Sequence, residues 1–291
     1  MERPIGIGSD ALRRKARSLL FSMTVAGLVS GCGGGGGGGA PSTTTQSNTT
    51  TTTSQTTTVT ATAGVEGLFK DASQTRLRYL LVEPDGQLWG TPSVLYSTGS
   101  TSLGVALEAN KGNISATSGN VTGTYKDIIG LTCSFLYTCT VSGLSSPTQL
   151  SVSGSKSLSG STIPDWSFTG TPEASYSVQA AASDIAGTWN MNAALPSNMA
   201  AFGTLTVSST GAVTVTNIGS CAFTGTLTPV TGKGYFRLTV STVAGTCATG
   251  TTAAQINGVA FKTSVTGKPS VLNVMWHNTN QSQYFWAAGT P

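Results

Sequence analysis

The chain has 291 residues, 37 of them glycine, and only 9% are charged. Five of the 15 basic side chains and two of the 11 acidic ones lie within the first 17 residues, which leaves the remainder with a net charge of +1. A remainder without a basic patch lacks the electrostatic footprint of nucleic-acid binding, so we exclude nucleic acid as a partner.

A basic segment followed by a short apolar stretch opens the sequence. Residues 1–17 carry a net charge of +3, and residues 19–29 are apolar or small. The apolar stretch is shorter than the about 20 residues that a helix needs to cross a bilayer. This pattern predicts a secretory signal peptide over residues 1–31. The alternative is a buried amphipathic helix of a cytosolic domain, for which the rest of the sequence predicts no helical partner.

The sequence Val29-Ser30-Gly31-Cys32 resembles the lipobox of bacterial lipoproteins, in which small apolar residues precede a cysteine. The resemblance implies that the Cys32 thiol receives a diacylglyceryl group, that the peptide is cut between Gly31 and Cys32, and that the new amine is acylated. Since one acyl chain gives only marginal membrane binding, several chains on Cys32 provide a stable anchor. Gly33 stands where many inner-membrane lipoproteins have aspartate. The resemblance therefore implies attachment to the outer membrane, on its periplasmic or cell-surface side.

Residues 32–63 predict a flexible linker that begins at the lipidated Cys32. Residues 33–39 are all glycine, and residues 42–62 are mostly threonine. Such segments bury almost no apolar area, so they cannot offset the entropy that is lost on ordering. We expect this tether to hold the folded part of the protein away from the membrane.

From residue 64 onwards, short runs of valine, leucine, threonine and aromatic residues alternate with glycine, serine, asparagine and proline. Residues 76–82 alternate in polarity and place Tyr79 and Leu81 on the face opposite Arg78. A Pro-Asp-Gly turn follows at residues 84–86. Because proline presets φ and glycine accepts a positive φ, this turn predicts a β-hairpin.

The second half of the chain shows the same pattern. Strands are predicted on both sides of turns at residues 210–211 and 278–280, and only residues 195–201 suggest a helix, of about one turn. Short strands spaced by about ten residues are typical of antiparallel barrels and sandwiches. The predicted fold is therefore all-β, with two consecutive antiparallel β-barrel or sandwich domains over residues 64–176 and 184–291.

A weak internal repeat supports two domains. Both halves open with glycine, any residue and an aromatic, at residues 67–69 and 187–189, and both later contain Thr-Gly-Thr, at residues 122–124 and 224–226. The Gly-Thr-Trp at residues 187–189 resembles the Gly-x-Trp that opens the first strand of lipocalin-type barrels, where the tryptophan closes one end. The chain as a whole resembles surface lipoproteins built from small β-barrels. The alternative is one large β domain whose strands share a similar composition.

Four cysteines remain besides Cys32, namely Cys133, Cys139, Cys221 and Cys247. An even number in an exported chain favours disulfides. Three pairings are possible, and we favour pairing within each predicted domain, Cys133 with Cys139 and Cys221 with Cys247. The alternative is a metal site, but the sequence has no C-x-x-C spacing and one histidine. We expect neither a metal nor a cofactor.

The sequence offers few candidates for catalysis. His277 is the single histidine and is predicted to be an exposed turn residue rather than a general base. Glu83 and Asp85 are two residues apart and are predicted to serve the turn between them rather than to act as a carboxylate pair. Asp165 and Trp166 suggest a sugar-stacking platform, although such a pair is common in β domains. Because acyl transfer needs a base beside a nucleophile, we predict that the protein is not an enzyme.

Three functions of different classes remain open. The first is a membrane-anchored module that displays non-catalytic β domains to a protein, a glycan or another envelope partner. The second is a lipocalin-like carrier of a small apolar ligand, which requires a barrel interior that side chains do not fill. The third is a cell-wall or glycan hydrolase that depends on His277 or on Glu83 and Asp85. The long polar tether and the missing catalytic set favour the first.

Overall fold

The structure, a computed structural model, describes residues 65–71, 78–91, 93–96, 103–106, 110–127, 133, 137–195, 200–248, 250–280 and 283–291. The predicted signal peptide, cleavage site, lipidated Cys32 and linker lie outside these ranges. Within them the regular structure consists of β-strands and short 3-10 turns.

The strands follow one another along the chain with short connections. The first ten are β1 (Gly67–Asp71), β2 (Tyr79–Val82), β3 (Gln87–Gly90), β4 (Ser93–Tyr96), β5 (Leu103–Ala106), β6 (Asn110–Thr117), β7 (Asn120–Asp127), β8 (Thr138–Ser146), β9 (Gln149–Leu158) and β10 (Ser161–Pro172). The next eight are β11 (Gly187–Ala194), β12 (Ala200–Val207), β13 (Ala212–Ile218), β14 (Cys221–Pro229), β15 (Phe236–Gly245), β16 (Ile256–Thr263), β17 (Val271–Asn278) and β18 (Tyr284–Thr290).

These strands form two closed antiparallel barrels of eight strands each. The first barrel contains β1, β2, β3 and β6–β10, and the second contains β11–β18. Barrel strands that are consecutive in the chain pair with each other, and each barrel closes where its first strand pairs with its last. β4 and β5 form a separate hairpin between β3 and β6. The prediction of two consecutive antiparallel β-barrel or sandwich domains is confirmed, and both domains are barrels.

The predicted hairpin turns are confirmed as well. Gly86 has a φ of +82° and donates its N–H to the carbonyl of Glu83 at 2.8 Å, which closes the turn between β2 and β3. Gly211 has a φ of +86° and closes the turn between β12 and β13 through Ser208, at 3.0 Å. The predicted helical turn over residues 195–201 is wrong at its C-terminal end, because β12 already begins at Ala200.

The internal repeat has a structural counterpart only in its first part. Gly67 and Gly187 each begin the first strand of a barrel. The two Thr-Gly-Thr segments lie in β7 and β14, which are the fifth strand of the first barrel and the fourth strand of the second. They therefore occupy positions that are not equivalent.

Buried side chains from all eight strands fill the interior of the second barrel. Trp276 stacks on Phe285 with ring centroids 5.7 Å apart, and Phe223 packs edge-on against both rings. Trp189 of β11 belongs to the same cluster, and its Nε1 donates to the carbonyl of Ile185 at 2.8 Å. An eight-stranded barrel has an interior that such side chains can fill completely.

A second cluster of buried side chains fills the first barrel, and its members identify the inward-facing side of each strand. Leu80 and Val82 of β2 belong to this interior cluster together with Phe168 of β10. Arg78 lies with them: its guanidinium donates to the carbonyl of Ser167 at 2.9 Å and lies 6.0 Å from the ring centroid of Phe168. The prediction that Arg78 lies on the face opposite Tyr79 and Leu81 is confirmed, and that face points into the first barrel.

The two barrels, which belong to one compact unit, pack against each other through a third cluster. Every residue of β17 is buried, because one face of the strand lines the second barrel and the other contacts the first. Tyr79 of β2 meets Phe261 of β16 edge-on, with ring centroids 6.5 Å apart. The cluster includes, from the first barrel, Leu68, Tyr79, Leu81 and Trp89, and from the second, Val259, Phe261, Met275 and Trp286.

Two disulfides lie within the two barrels, one in each. Cys133 pairs with Cys139 of β8, with Cα atoms 5.7 Å apart. Cys221 at the start of β14 pairs with Cys247 in the 3-10 turn Thr246–Ala248, with Cα atoms 4.9 Å apart. The predicted pairing is confirmed.

Candidate binding cleft between the two barrels

A carboxylate of the first barrel is buried against the second. Glu83, which follows β2, is only 1% exposed. Arg237 of β15 reaches it across the junction: its Nη1 donates to Oε1 at 3.0 Å, and its Nη2 forms an ion pair with Oε2. Trp89 Nε1 of β3 donates to the same Oε1, and the Tyr235 hydroxyl donates to Oε2 at 3.4 Å. The carboxylate therefore accepts hydrogen bonds from both barrels.

The electrostatics of this junction favour a fixed arrangement. Burial raises the pKa of Glu83, while Arg237 and the hydrogen bond from Trp89 oppose that rise. Burial and the charge of Glu83 also raise the pKa of Tyr235, so the hydroxyl keeps its proton and remains a donor. Breaking a buried ion pair is costly because one charge is left buried without compensation. Glu83 and Arg237 therefore hold the two barrels in one relative position.

Lys111 of β6 is a buried amine beside this ion pair. The residue is 2% exposed, and its Nζ lies 4.0 Å from the ring centroid of Trp89. Nζ donates to Gln87 Oε1 at 2.8 Å, and Gln87 Nε2 donates in turn to Asp85 Oδ2 at 2.8 Å. Burial lowers the pKa of Lys111 to about 7, although the charges of Glu83 and Asp85 oppose that change. A buried lysine with a perturbed pKa in a cleft is typical of functional sites.

His277 of β17 packs against the same tryptophan. Its ring stacks on Trp89 with centroids 5.2 Å apart, and its Nδ1 lies 2.8 Å from the carbonyl oxygen of Asn278. Since a carbonyl can only accept, Nδ1 carries the proton, and the lone pair of the neutral ring lies on Nε2. Nε2 is buried and has no hydrogen-bond partner among the described residues. Burial, with a smaller effect of the charges of Lys111 and Lys126, lowers the pKa of His277 to about 4, although the hydrogen bond with Asn278 opposes that change.

Lys111, Arg237 and His277 open onto a cleft of about 670 Å³ at the junction. The volume lies within the range of roughly 300–1,000 Å³ that is usual for small-molecule sites. The Cys133–Cys139 disulfide contributes to its wall. Residues from both barrels line the cleft, among them Lys111, Asn113, Lys126, Arg237, Asn257 and His277. This lining is polar and basic, which suits a charged, hydrogen-bonding ligand rather than an apolar one.

No protein-family model, curated protein or solved structure matches the chain. The chemistry of the cleft residues is therefore what bears on its function. In the described part of the chain, no group of three histidine, cysteine, aspartate or glutamate residues comes together as a metal site. No helix within the described ranges has the length and apolar character needed to span a membrane.

Of the three residues that the sequence singled out as candidates for catalysis, one has the predicted role and two do not. Asp85 serves the turn as predicted, since its Oδ1 accepts the backbone N–H of Gln87 at 3.0 Å. Glu83 does not serve the turn through its side chain, because its carboxylate is held by Arg237 and Trp89. The prediction that His277 is exposed in a turn is wrong: it is 6% exposed and lies in β17, which is covered by the first barrel.

The suggested sugar-stacking platform is also wrong. Trp166 is buried, and its ring meets Tyr125 edge-on with centroids 5.3 Å apart. Asp165 forms an ion pair with Lys156 at 2.6 Å and accepts a hydrogen bond from the Tyr125 hydroxyl. A ring that is packed inside a barrel presents no face on which a sugar can stack. Gly31 and Cys32, the predicted cleavage and lipidation residues, lie outside the described residues.

Sequence reasoning missed Lys111 and Arg237. Lys111 lies between an asparagine and a glycine, without apolar periodicity, and Arg237 occupies the polar position of an alternating strand. A usable signal lies in residues 271–276 and 284–288, which, apart from Asn273, are apolar at both odd and even positions. Such runs indicate strands that are buried on both faces. They predict that another part of the protein covers the outer face of these strands.

Proposed function

We propose that this protein is an exported lipoprotein, anchored to the outer membrane through lipid on Cys32, whose two barrels form a non-catalytic binding module. The observation that supports this function best is the polar cleft at the junction, where Lys111 and His277 face a space of about 670 Å³. The tether over residues 32–63 lets the module reach away from the membrane. A glycine- and threonine-rich segment stays flexible because it buries too little apolar surface to become ordered.

The packing of the barrels favours binding at the junction over transport inside a barrel. The interiors are occupied by large buried side chains, among them Phe168 in the first barrel and Phe223, Trp276 and Phe285 in the second. A carrier of a small apolar ligand needs an interior that side chains leave open. The cleft is lined instead by charged and amide groups, which an apolar ligand would leave unsatisfied.

The hydrogen-bond and ion-pair partners of His277 and Glu83 support a non-catalytic function. A hydrolase of the acyl-transfer type needs its base within hydrogen-bond distance of a nucleophile. In the part of the chain that the structure describes, His277 Nε2 has no hydroxyl or thiol at that distance. Glu83 is committed to Arg237 and Trp89, which leaves it without a free carboxylate oxygen to act as an acid or base.

The anchor is tested with Cys32→Ser in the full-length chain, expressed in a bacterial host that lipidates exported proteins. We expect the variant to lose palmitate labelling and to leave the membrane fraction or accumulate as an uncleaved precursor. The matched control is Cys133→Ser with Cys139→Ser, which removes two thiols of the first barrel. The control should keep the label. Palmitate labelling and membrane fractionation that remain unchanged in Cys32→Ser would contradict the proposal.

A further inference from the structure

The cleft combines positive charge with an unsatisfied hydrogen-bond acceptor. Of the described residues that line it, Lys111, Lys126 and Arg237 are basic and Asp85 is acidic. Arg237 is neutralised by Glu83, whereas Asp85 keeps its negative charge while it accepts hydrogen bonds from the backbone and the side chain of Gln87. Lys126 forms no ion pair with any described residue. When Lys111 is protonated, the two lysines outweigh Asp85 by one positive charge, and an excess of positive charge in a concave site attracts an anionic group.

His277 supplies the second part of the recognition. Its Nε2 is an acceptor that is buried at the edge of the cleft without a partner among the described residues. Because the pKa of His277 is lowered to about 4, the ring is neutral at physiological pH, and Nε2 offers a lone pair rather than a proton. A buried acceptor left unpaired costs free energy, which a hydroxyl or amide donor of a ligand would recover. A simple anion without a donor does not satisfy this atom.

The remaining lining groups suit a ligand with several hydroxyls. Asn113 and Asn257 carry amides, and Thr124 and Thr138 carry hydroxyls, so all four side chains both donate and accept. These residues come from both barrels, and all four are exposed at the surface of the cleft. Such groups match the alternating donors and acceptors of a polyhydroxylated molecule. A ligand that is only charged would use few of them.

We propose that the cleft binds a sugar that carries an anionic group, either a carboxylate or a phosphate. The anionic group lies against Lys111 and Lys126, and a sugar hydroxyl donates to His277 Nε2. This inference names the ligand of the proposed binding module and rests on that function for the module's role, but not on the membrane anchor. The experiment uses one probe with a carboxylate and one with a phosphate, so it distinguishes these two anionic groups.

The single histidine makes a direct test possible. In the full-length chain labelled with nitrogen-15, the imidazole gives one Nε2 signal, which is specific for His277. Glucuronate and glucose 6-phosphate are the two probes. Glucose is the control that lacks the anionic group, and inorganic phosphate is the control that lacks the sugar hydroxyls. With the probes at about 10 mM, enough to saturate a site of millimolar Kd, we expect one charged sugar to move the Nε2 signal as a hydrogen-bonded acceptor. Glucose and phosphate should move it much less.

Charge variants then test where the ligand binds. Lys126→Gln removes a cleft charge that no described residue pairs, and should weaken binding of the active probe roughly tenfold, the loss of one charge-assisted hydrogen bond. Lys268→Gln makes the same charge change outside the cleft and should leave the affinity unchanged. If Lys268→Gln weakens binding as much as Lys126→Gln, the attraction is not specific to the cleft and the inference is wrong.

Three further outcomes would overturn the inference. If neither charged sugar moves the His277 signal, the ligand class is wrong, while retained palmitate on Cys32 would leave the proposed anchor standing. If phosphate alone acts as strongly as glucose 6-phosphate, the sugar takes no part. If glucose acts as strongly as glucuronate, the charge takes no part, and the lysines have another role.

Discussion

Arg237 of the second barrel covers the buried carboxylate of Glu83 in the first, with Nη1 3.0 Å from Oε1. The two partners differ sharply in exposure: the guanidinium side chain is 42% exposed, whereas the carboxylate side chain is 0% exposed. The arginine can turn to water if its partner is removed, but the carboxylate cannot. Because of this asymmetry, removing Arg237 should lower the free energy of unfolding more than removing the charge of Glu83.

We expect Arg237→Met to destabilise the protein by about 3–5 kcal/mol, and Glu83→Gln by only about 1 kcal/mol. The larger penalty should shrink as the pH falls, because the pKa of Glu83, already raised by burial, rises further without Arg237 and the carboxyl takes up a proton. Urea unfolding at pH 5 and pH 8 measures both effects. Equal penalties for the two variants, or a penalty of Arg237→Met that does not change with pH, would contradict this account.

The buried imidazole predicts a loss of stability in mild acid. The pKa of His277 is about 4 in the folded protein and near the ordinary value of 6.5 in the unfolded chain. Between these values the unfolded chain binds the proton and the folded protein does not, so the free energy of unfolding decreases as the pH falls from 6.5 towards 4. The full effect is roughly 3 kcal/mol.

His277→Gln separates this effect from other titrating groups. Urea unfolding of the parent and the variant between pH 7 and pH 4 should give curves that converge in acid, because only the parent loses the histidine contribution. An imidazole titration by nuclear magnetic resonance should give a pKa near 4 for the parent. A measured value near 6.5 would mean that the ring is not buried against Trp89 as described.

The two disulfides should differ in what they contribute. Cys221 and Cys247 are 26 residues apart, whereas Cys133 and Cys139 are 6 apart. Because a longer closed loop removes more entropy from the unfolded chain, we expect loss of Cys221–Cys247 to cost about 3–4 kcal/mol and loss of Cys133–Cys139 about 2 kcal/mol. Thermal unfolding of the two Cys-to-Ser double variants tests the order. A reversed order would show that native packing outweighs the loop effect.

Gly154 of β9 should resist substitution because an aromatic ring lies on it. A Cβ added there would lie 2.1 Å from Trp166 Nε1, so the ring inside the first barrel would have to move. Overpacking of this kind typically costs about 1–3 kcal/mol, and we expect Gly154→Ala to fall at the upper end. Gly160→Asn is the matched control, since no atom lies within 4 Å of its added Cβ and asparagine tolerates its φ of +87°. Urea unfolding in which the two variants lose the same stability would contradict this packing.

Local features of the sequence are sufficient to predict two consecutive antiparallel β domains, although they do not distinguish barrels from sandwiches. The turns at Gly86 and Gly211 depend on a few neighbouring residues, and each is predicted directly from the position of its glycine. The disulfide pairing followed from keeping each pair within one domain. These predictions needed no knowledge of how the two barrels meet.

The candidate cleft could not be predicted in the same way, because it depends on which outer faces are covered. Arg78 and Tyr79 illustrate the difficulty: both are buried, Arg78 in the first barrel and Tyr79 against the second. Alternation places them on opposite faces of β2, as the structure does, but it does not show that the second barrel covers the outer face. His277 was placed in an exposed turn for the same reason, since its burial comes from Trp89, which is 188 positions earlier in the chain.

The apolar cluster shared by β1–β3 and β16–β18 has a consequence for how the molecule comes apart. If either barrel unfolds, the apolar outer face of its partner is exposed to water. On the second barrel this face carries Phe261, Met275 and Trp286. Unfolding of one barrel therefore lowers the stability of its neighbour, and the two melt as a single cooperative transition rather than as independent domains. A ligand held at the junction would stabilise both barrels by the same amount.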